Sequence, residues 1–394
     1  MLSLSSYSRK AKKLSFVGIL SGLIALSGCS SNEVDESLQP AELIDFTPTV
    51  NAKVVWERWA GDGADEQLLR LVPAVSGDAV FACDADGDCY AYDRHSGARL
   101  WSQDVDLHIS GAIAAGSGVV AFGTIDGQLV VLNDSDGSQR FRKQLTSEIL
   151  SSPAIHNNML VVQAQNGHVF AFDLESETQK WHYDATLPLL SIRGTASPVV
   201  SDEATFVAFA NGKVVALSND NGATLWEKRI STPSGKSDLE KLSDVDGTPL
   251  LDYETLYAVG FNGVLRSIDV YSGRTRWKKE ASSYVGPAQG FGQVYVAKDD
   301  GELIAVDDRS SAVNWKIEDL KNRQLTRPVV LGNYVVVGDF EGYLHFISQL
   351  SGTFSERINI DRDGLMSDPI VVGDTLYIYS SDGSLAAVKI EEES

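Results

Sequence analysis

The chain has 394 residues, 43% of them hydrophobic and 22% charged, with 34 glycines and three methionines. Its formal charge of −21 repels phosphate backbones, which excludes nucleic acid as a partner and describes a soluble acidic body. Length alone allows two or three ordinary domains, but the glycine-rich, methionine-poor composition favours many tight turns over long helices.

The first segment reads as an address. Arg9, Lys10, Lys12 and Lys13 form a basic region, followed by the apolar run LSFVGILSGLIALS over 14–27. That run is too short for a comfortable membrane span and fits a signal peptide. It ends in Leu26-Ser27-Gly28-Cys29, which resembles the lipobox of bacterial lipoproteins. The resemblance implies cleavage after Gly28, acyl chains on Cys29, and, with Ser30 rather than Asp following, sorting to the outer membrane. Several acyl chains anchor stably, since each buried CH₂ contributes about 0.8 kcal/mol. Residues 29–50 are polar and acidic with two prolines, and are expected to be a lipidated flexible tether. The folded body is expected over 51–394.

That body repeats. Eight copies align on Gly87, Gly127, Gly167, Gly212, Gly263, Gly301, Gly342 and Gly383, at spacings of 40, 40, 45, 51, 38, 41 and 41. Most copies place Asp or Asn before the glycine, a strong hairpin signal between apolar runs because both residues tolerate positive φ. An apolar strand follows, then a polar turn, then a short strand carrying Trp101, Phe141, Trp181, Trp226, Trp277 or Trp315. Upstream lies another apolar run, and before it a proline or small residue opens an innermost strand, as at Pro73, Pro153, Pro249 and Pro369. Four antiparallel strands per roughly 40 residues make a blade, and blades that cannot bury both faces alone must stack around an axis. The fold class is therefore all-β, an eight-bladed β-propeller. The aromatics are expected to fill the wedges between blades. The eighth copy stops at Val388-Lys389-Ile390 without an aromatic strand, whereas Lys53–Trp59 has the aromatics without a hairpin. The N-terminal strand is expected to complete the last blade, which removes a free edge and closes the ring.

The pattern G-x-x-x-A-[FILV]-[DN]-x-x-x-G-x-x-x-W resembles the quinoprotein (PQQ-type) propeller repeat over nearly all of 52–390. Two branches of that superfamily come into question. The periplasmic quinone-dependent dehydrogenases hold a cofactor and Ca²⁺ on the axis, and the alcohol enzymes among them carry a disulfide between adjacent cysteines. This chain has no Cys-Cys pair and no legible catalytic carboxylate constellation. The other branch is the BamB family, the lipoprotein subunits of the outer-membrane β-barrel assembly (BAM) machinery. The chain resembles it in lipobox, length, eight units and two segments, 187–194 and 242–249. The resemblance implies a non-catalytic scaffold without cofactor, docked through these loops onto the periplasmic POTRA domains of BamA. It also admits unfolded outer-membrane proteins as a further partner. Carried over by position, the contacts are Leu190, Ile192, Arg193, Asp244 and Asp246. The residues themselves leave a plainer alternative: Leu190 and Ile192 as the start of an innermost strand, Asp244 and Asp246 as turn residues. The two longest spacings fall here, and extra loop length in a repeat often marks a binding face.

Cys83 and Cys89 flank the first hairpin turn, and in an oxidising compartment they are expected to form a disulfide; two buried thiols are the alternative. Asp84, Asp86 and Asp88 fail the EF-hand spacing and read as a hairpin turn. The six histidines show no metal-binding spacing, and no G-x-S-x-G or P-loop motif occurs, so no metal or catalytic residue is assigned.

Overall fold

The computed structural model describes residues 39–64, 69–187, 196–231 and 244–391. The body, Pro40–Ser394, is an all-β propeller of eight four-stranded antiparallel sheets. In blades 1 to 7 the strands run outward in chain order. Blade 1, for example, comprises Ala74–Ser76, Ala79–Cys83, Asp88–Asp93 and Arg99–Asp104. Blade 8 breaks the order as expected: Asn51–Trp59 pairs with Ser384–Glu391, with Trp59 opposite Ser384.

Burial follows position within the blade. The two middle strands are covered on both faces by neighbouring blades, as in Val119–Gly123, where every residue is buried. The outermost strands alternate, and in Arg99–Asp104 only Trp101 is buried. One bulge recurs beside each such aromatic. In blade 1 the register shifts between Ala91 and Tyr92, where Ala91 faces Trp101. The extra residue bends the outer strand and turns its ring toward the next blade.

Five of the indoles make the same contact with a turn glycine, Trp56 with Gly97, Trp101 with Gly137, Trp181 with Gly222, Trp226 with Gly273 and Trp315 with Gly352, whereas Glu177 and Ser311 take the left-handed place in the turns of blades 3 and 6. Trp226 of blade 4 lies on Gly273 in the outer turn of blade 5, where a Cβ would fall 2.8 Å from the ring, and φ at Gly273 is +65°. Only glycine combines that backbone with that approach. The indole N–H donates to the Val270 carbonyl at 2.7 Å. Trp56, Trp101, Trp181, Trp277 and Trp315 donate likewise to Arg94, Asp134, Asn219, Asp308 and Gln349. Blade 2 offers Phe141, which has no N–H, and Arg140 Nη2 supplies the bond to the Leu174 carbonyl at 2.6 Å.

Blade 7 is the exception. Glu356 stands at its aromatic position, and blade 8 has no outer turn to receive a ring, because its last strand comes from the other end of the chain. Residues 40–50 run along the outer strand of blade 7 instead. The Ala41 N–H donates to Lys321 O and Thr49 N–H to Ser355 O, both at 2.9 Å. Phe46 stacks on Phe354 with centroids 5.5 Å apart, and the Arg357 guanidinium sits over Phe46. The tether expected over 29–50 is therefore docked along its last eleven residues. Composition hid this, since most of the holding groups are backbone amides and carbonyls. Cys29 and the expected signal peptide lie outside the described residues.

Beneath this strap is a buried polar chain. Arg323, 2% exposed, donates to Asp339 at 2.8 Å, to the Ala41 carbonyl at 2.9 Å and to Glu341. His345 Nε2 lies 2.8 Å from Asp339, and its Nδ1 accepts from Arg357 Nε at 3.2 Å. These partners fix the neutral imidazole with its proton on Nε2. Burial holds the His345 pKa below its usual value against the opposing pull of Asp339. In blade 1, Cys83 and Cys89 face each other across the hairpin and are joined as a disulfide.

Two outcomes follow. Trp226→Ala should lower the unfolding free energy by about 3–5 kcal/mol in urea titration, and Trp226→Phe by about 1 kcal/mol through the orphaned Val270 carbonyl. The unfolded chain protonates His345 near pH 6.5 whereas the folded chain resists, so its contribution is present above that pH and is lost as pH falls below it. The unfolding free energy of the wild type relative to His345→Gln should fall by up to ~2 kcal/mol between pH 7 and 5, measured by urea titration of both proteins at the two pH values.

Candidate protein-docking site

The connectors between blades build one face of the ring. Among the described residues, most carry a residue whose carbonyl accepts an N–H at the start of the following blade's hairpin: Gly63 from Ala85, His108 from Ile125, Ser282 from Asp299, Gly364 from Ser381. Asp244 occupies this place before blade 5, and its carbonyl accepts from Phe261 at 2.9 Å. The connector can go no deeper, because Val245 is buried in the apolar wedge between blades 4 and 5.

Asp246 follows on a rigid stretch. A Cβ on Gly247 would meet the Val285 carbonyl at 2.5 Å, and Thr248 Oγ1 accepts the Ser197 N–H at 3.0 Å. The segment is thus wedged between the entries of blades 4 and 6. Asp246 is 6% exposed, and neither carboxylate oxygen has a hydrogen-bond partner. It is therefore no turn-forming aspartate. Burial first, then repulsion from Asp244, pushes its pKa up to about 7, against the opposing charge of Arg70.

The side chain lines an axial funnel of about 580 Å³ formed by the entry residues of the inner strands. Arg70, Tyr284, Arg327 and Asp368 share that lining. Arg70 lies over the Tyr284 ring at 5.5 Å. Asp368 accepts the Arg327 backbone N–H at 2.9 Å, and Arg327 Nε donates to Pro287 O at 3.2 Å. Burial lowers the Arg327 pKa. Apart from Asp246, the funnel residues were missed in the sequence. Their signal is local: Arg327 and Asp368 immediately precede the prolines that open inner strands, and Asp246 stands three before Pro249. A residue before proline is held extended, and here it sits at the axis.

The sequence-derived contacts divide in two. Asp244 and Asp246 lie on one connector at the funnel edge. Leu190, Ile192 and Arg193 fall in 188–195, outside the described residues, as do residues 232–243 of the Asp244 connector.

A family model described as outer membrane protein assembly factor BamB matches residues 85–317. A protein of that name from Pseudomonas aeruginosa is 40% identical over 94% of this chain and 98% of its own length. One from Shewanella oneidensis is 35% identical over 93% and 96%. The crystal structure of BamB from Moraxella catarrhalis superposes with a TM-score of 0.79 at 27% identity, covering 86% of this chain and all of that one. A europium-containing methanol dehydrogenase superposes at 0.71 with 13% identity, which shows a shared fold alone.

An unpaired buried carboxylate is destabilising by on the order of 2 kcal/mol. The folded chain holds a proton on Asp246 up to about pH 7 whereas an unfolded aspartate releases it near pH 4, so this penalty disappears as pH falls through 7. Asp246→Asn should raise the unfolding free energy by roughly 1–3 kcal/mol at pH 8 and by much less at pH 5, measured by urea titration at both pH values.

Proposed function

The chain belongs to the BamB family of outer membrane protein assembly factors, and on that premise we propose that it is a scaffold of the BAM machinery that holds the POTRA domains of BamA while β-barrel proteins are inserted. It is not an enzyme; its relatives are named as assembly factors, and its likeness to quinone-dependent dehydrogenases ends with the fold.

The observation that carries the reading is the Asp246 carboxylate. It is buried, rigidly held and unpartnered, on the connector beside the two longest inter-blade loops. A fixed anion of this kind supports docking of a basic or amide-bearing partner surface, which supplies the missing donors and lowers the raised pKa as it binds. Leu190 and Ile192 provide the apolar anchors and Arg193 a charge-paired rim, the composition of an interface centre. Asp244, buried one position from the wedge residue Val245, sets where the connector turns toward the partner.

Lipidation at Cys29 places the body on the periplasmic face of the outer membrane. Ten residues separate Cys29 from Pro40, where the docked strap begins. At about 3.5 Å per residue, this leash spans at most roughly 40 Å.

Leu190→Ala and Arg193→Ala should each reduce co-purification of BamA from detergent-solubilised envelopes at least tenfold, equivalent to about 1.4 kcal/mol, with unchanged thermal midpoints. Undiminished co-purification in the double variant would remove this docking site.

A further inference from the structure

The blade pair without an aromatic lock carries an unexplained group of acids. The connector leaving blade 7 reads Asp361-Arg362-Asp363-Gly364, and the hairpin of blade 8 reads Ser381-Asp382-Gly383. One carboxylate oxygen from each of Asp361, Asp363 and Asp382 lies within 4.8 Å of the other two. Among the described residues, none of the three carboxylates is in an ion pair.

A solvated acidic surface does not account for Asp361. It is only 9% exposed. Its Oδ1 accepts the backbone N–H groups of Arg362 and Asp363, at 2.5 and 3.2 Å. Its Oδ2 is fully buried and has no hydrogen-bond partner. A buried, unsatisfied carboxylate oxygen beside two further carboxylates is a strongly unfavourable arrangement unless a cation completes it.

The frame is fixed on both sides. Ser381 donates through N–H at 3.3 Å and through Oγ at 3.0 Å to the Gly364 carbonyl, and Leu365 N–H donates to Asp339 O at 3.0 Å. Asp382 Oδ1 accepts from Ser380 Oγ at 2.5 Å and from Ser384 N–H at 3.0 Å. Three hard anionic oxygens that all lie within 4.8 Å of one another can be shared by one Ca²⁺, which takes six to eight oxygen ligands in flexible geometry. Mg²⁺ requires shorter bonds and near-ideal octahedral geometry, and it retains most of its water. Asp363 and Asp382 are exposed, which leaves room for water in the remaining positions.

We propose that Asp361, Asp363 and Asp382 form a Ca²⁺ site that joins the exit connector of blade 7 to the hairpin of blade 8. The ion neutralises the three acids and fastens the blade pair at which the ring is closed. Its place in the structure is independent of the docking site at blades 4 and 5.

The test uses the full chain in detergent, stripped with EGTA and exchanged into metal-free buffer. Calorimetric titration with CaCl₂ should show one saturable site, and 5 mM Ca²⁺ should raise the thermal midpoint by about 3 °C or more, with a smaller rise for Mg²⁺. The Asp363→Asn/Asp382→Asn double variant changes two exposed residues. It should lose both the heat and the Ca²⁺-induced rise while keeping the midpoint of the stripped wild type. No heat and no shift up to 10 mM Ca²⁺ would overturn the proposal. So would a double variant that responds to Ca²⁺ as the wild type does.

Discussion

The ring depends on one repeated contact, the aromatic of one blade seated on the glycine turn of the next with its N–H bonded to a turn carbonyl. The contact is directional. Blade 8 and blades 1 to 6 each reach forward to the blade after them. In five of the turns the left-handed residue is a glycine, which lets the ring approach with no Cβ in the way, and the tryptophan supplies both a flat face and a donor. Where one requirement fails, a neighbour compensates: Arg140 donates in place of the indole that Phe141 lacks. Where both fail, between blades 7 and 8, an unrelated set of groups takes over: the strap over 40–50, the chain from Arg323 to His345, and the paired acids of the connector and hairpin.

This division explains what the sequence discloses. The hairpin Asx-Gly pairs, the spaced aromatics and the apolar runs are short-range signals, each imposed by local geometry, and they reveal the eight blades and the closing strand. The irregular seam is built from contacts between distant positions. Phe46 finds Phe354, Ala41 finds Arg323, and Asp382 finds Asp361, with no periodicity to announce any of them. The Asp361-x-Asp363 pair is visible in the chain, but only the fold brings the third acid to it. Likewise, Asp244 and Asp246 are nameable from their motif, whereas the burial that separates them from ordinary turn residues comes from Val245 and Gly247 being wedged between blades.

The docking connector contrasts with the rest of the body. Most buried polar groups are satisfied: Asn219 bonds to Thr205 and to the Ser201 carbonyl, and Gln293 bonds to Gln349 O and Asn314. Asp246 departs from that rule at a place where the backbone cannot move away. An unmet carboxylate in a rigid setting is a stability sacrifice, relieved by protonation of a group poised near neutral pH, and under the proposed docking a partner's donors would relieve it as well.

The closing sheet also dictates an order of events. Ser384 Oγ donates to Glu57 across 327 positions of chain, and the whole of Asn51–Trp59 has its pairing partner in the final strand. The strand that leaves the ribosome first is therefore the last to be matched. Until the C-terminus arrives, that ribbon displays an unpaired hydrogen-bonding edge together with Trp56 and Trp59. Until that match is made the chain carries an open β-edge, the feature most prone to pairing with the wrong strand.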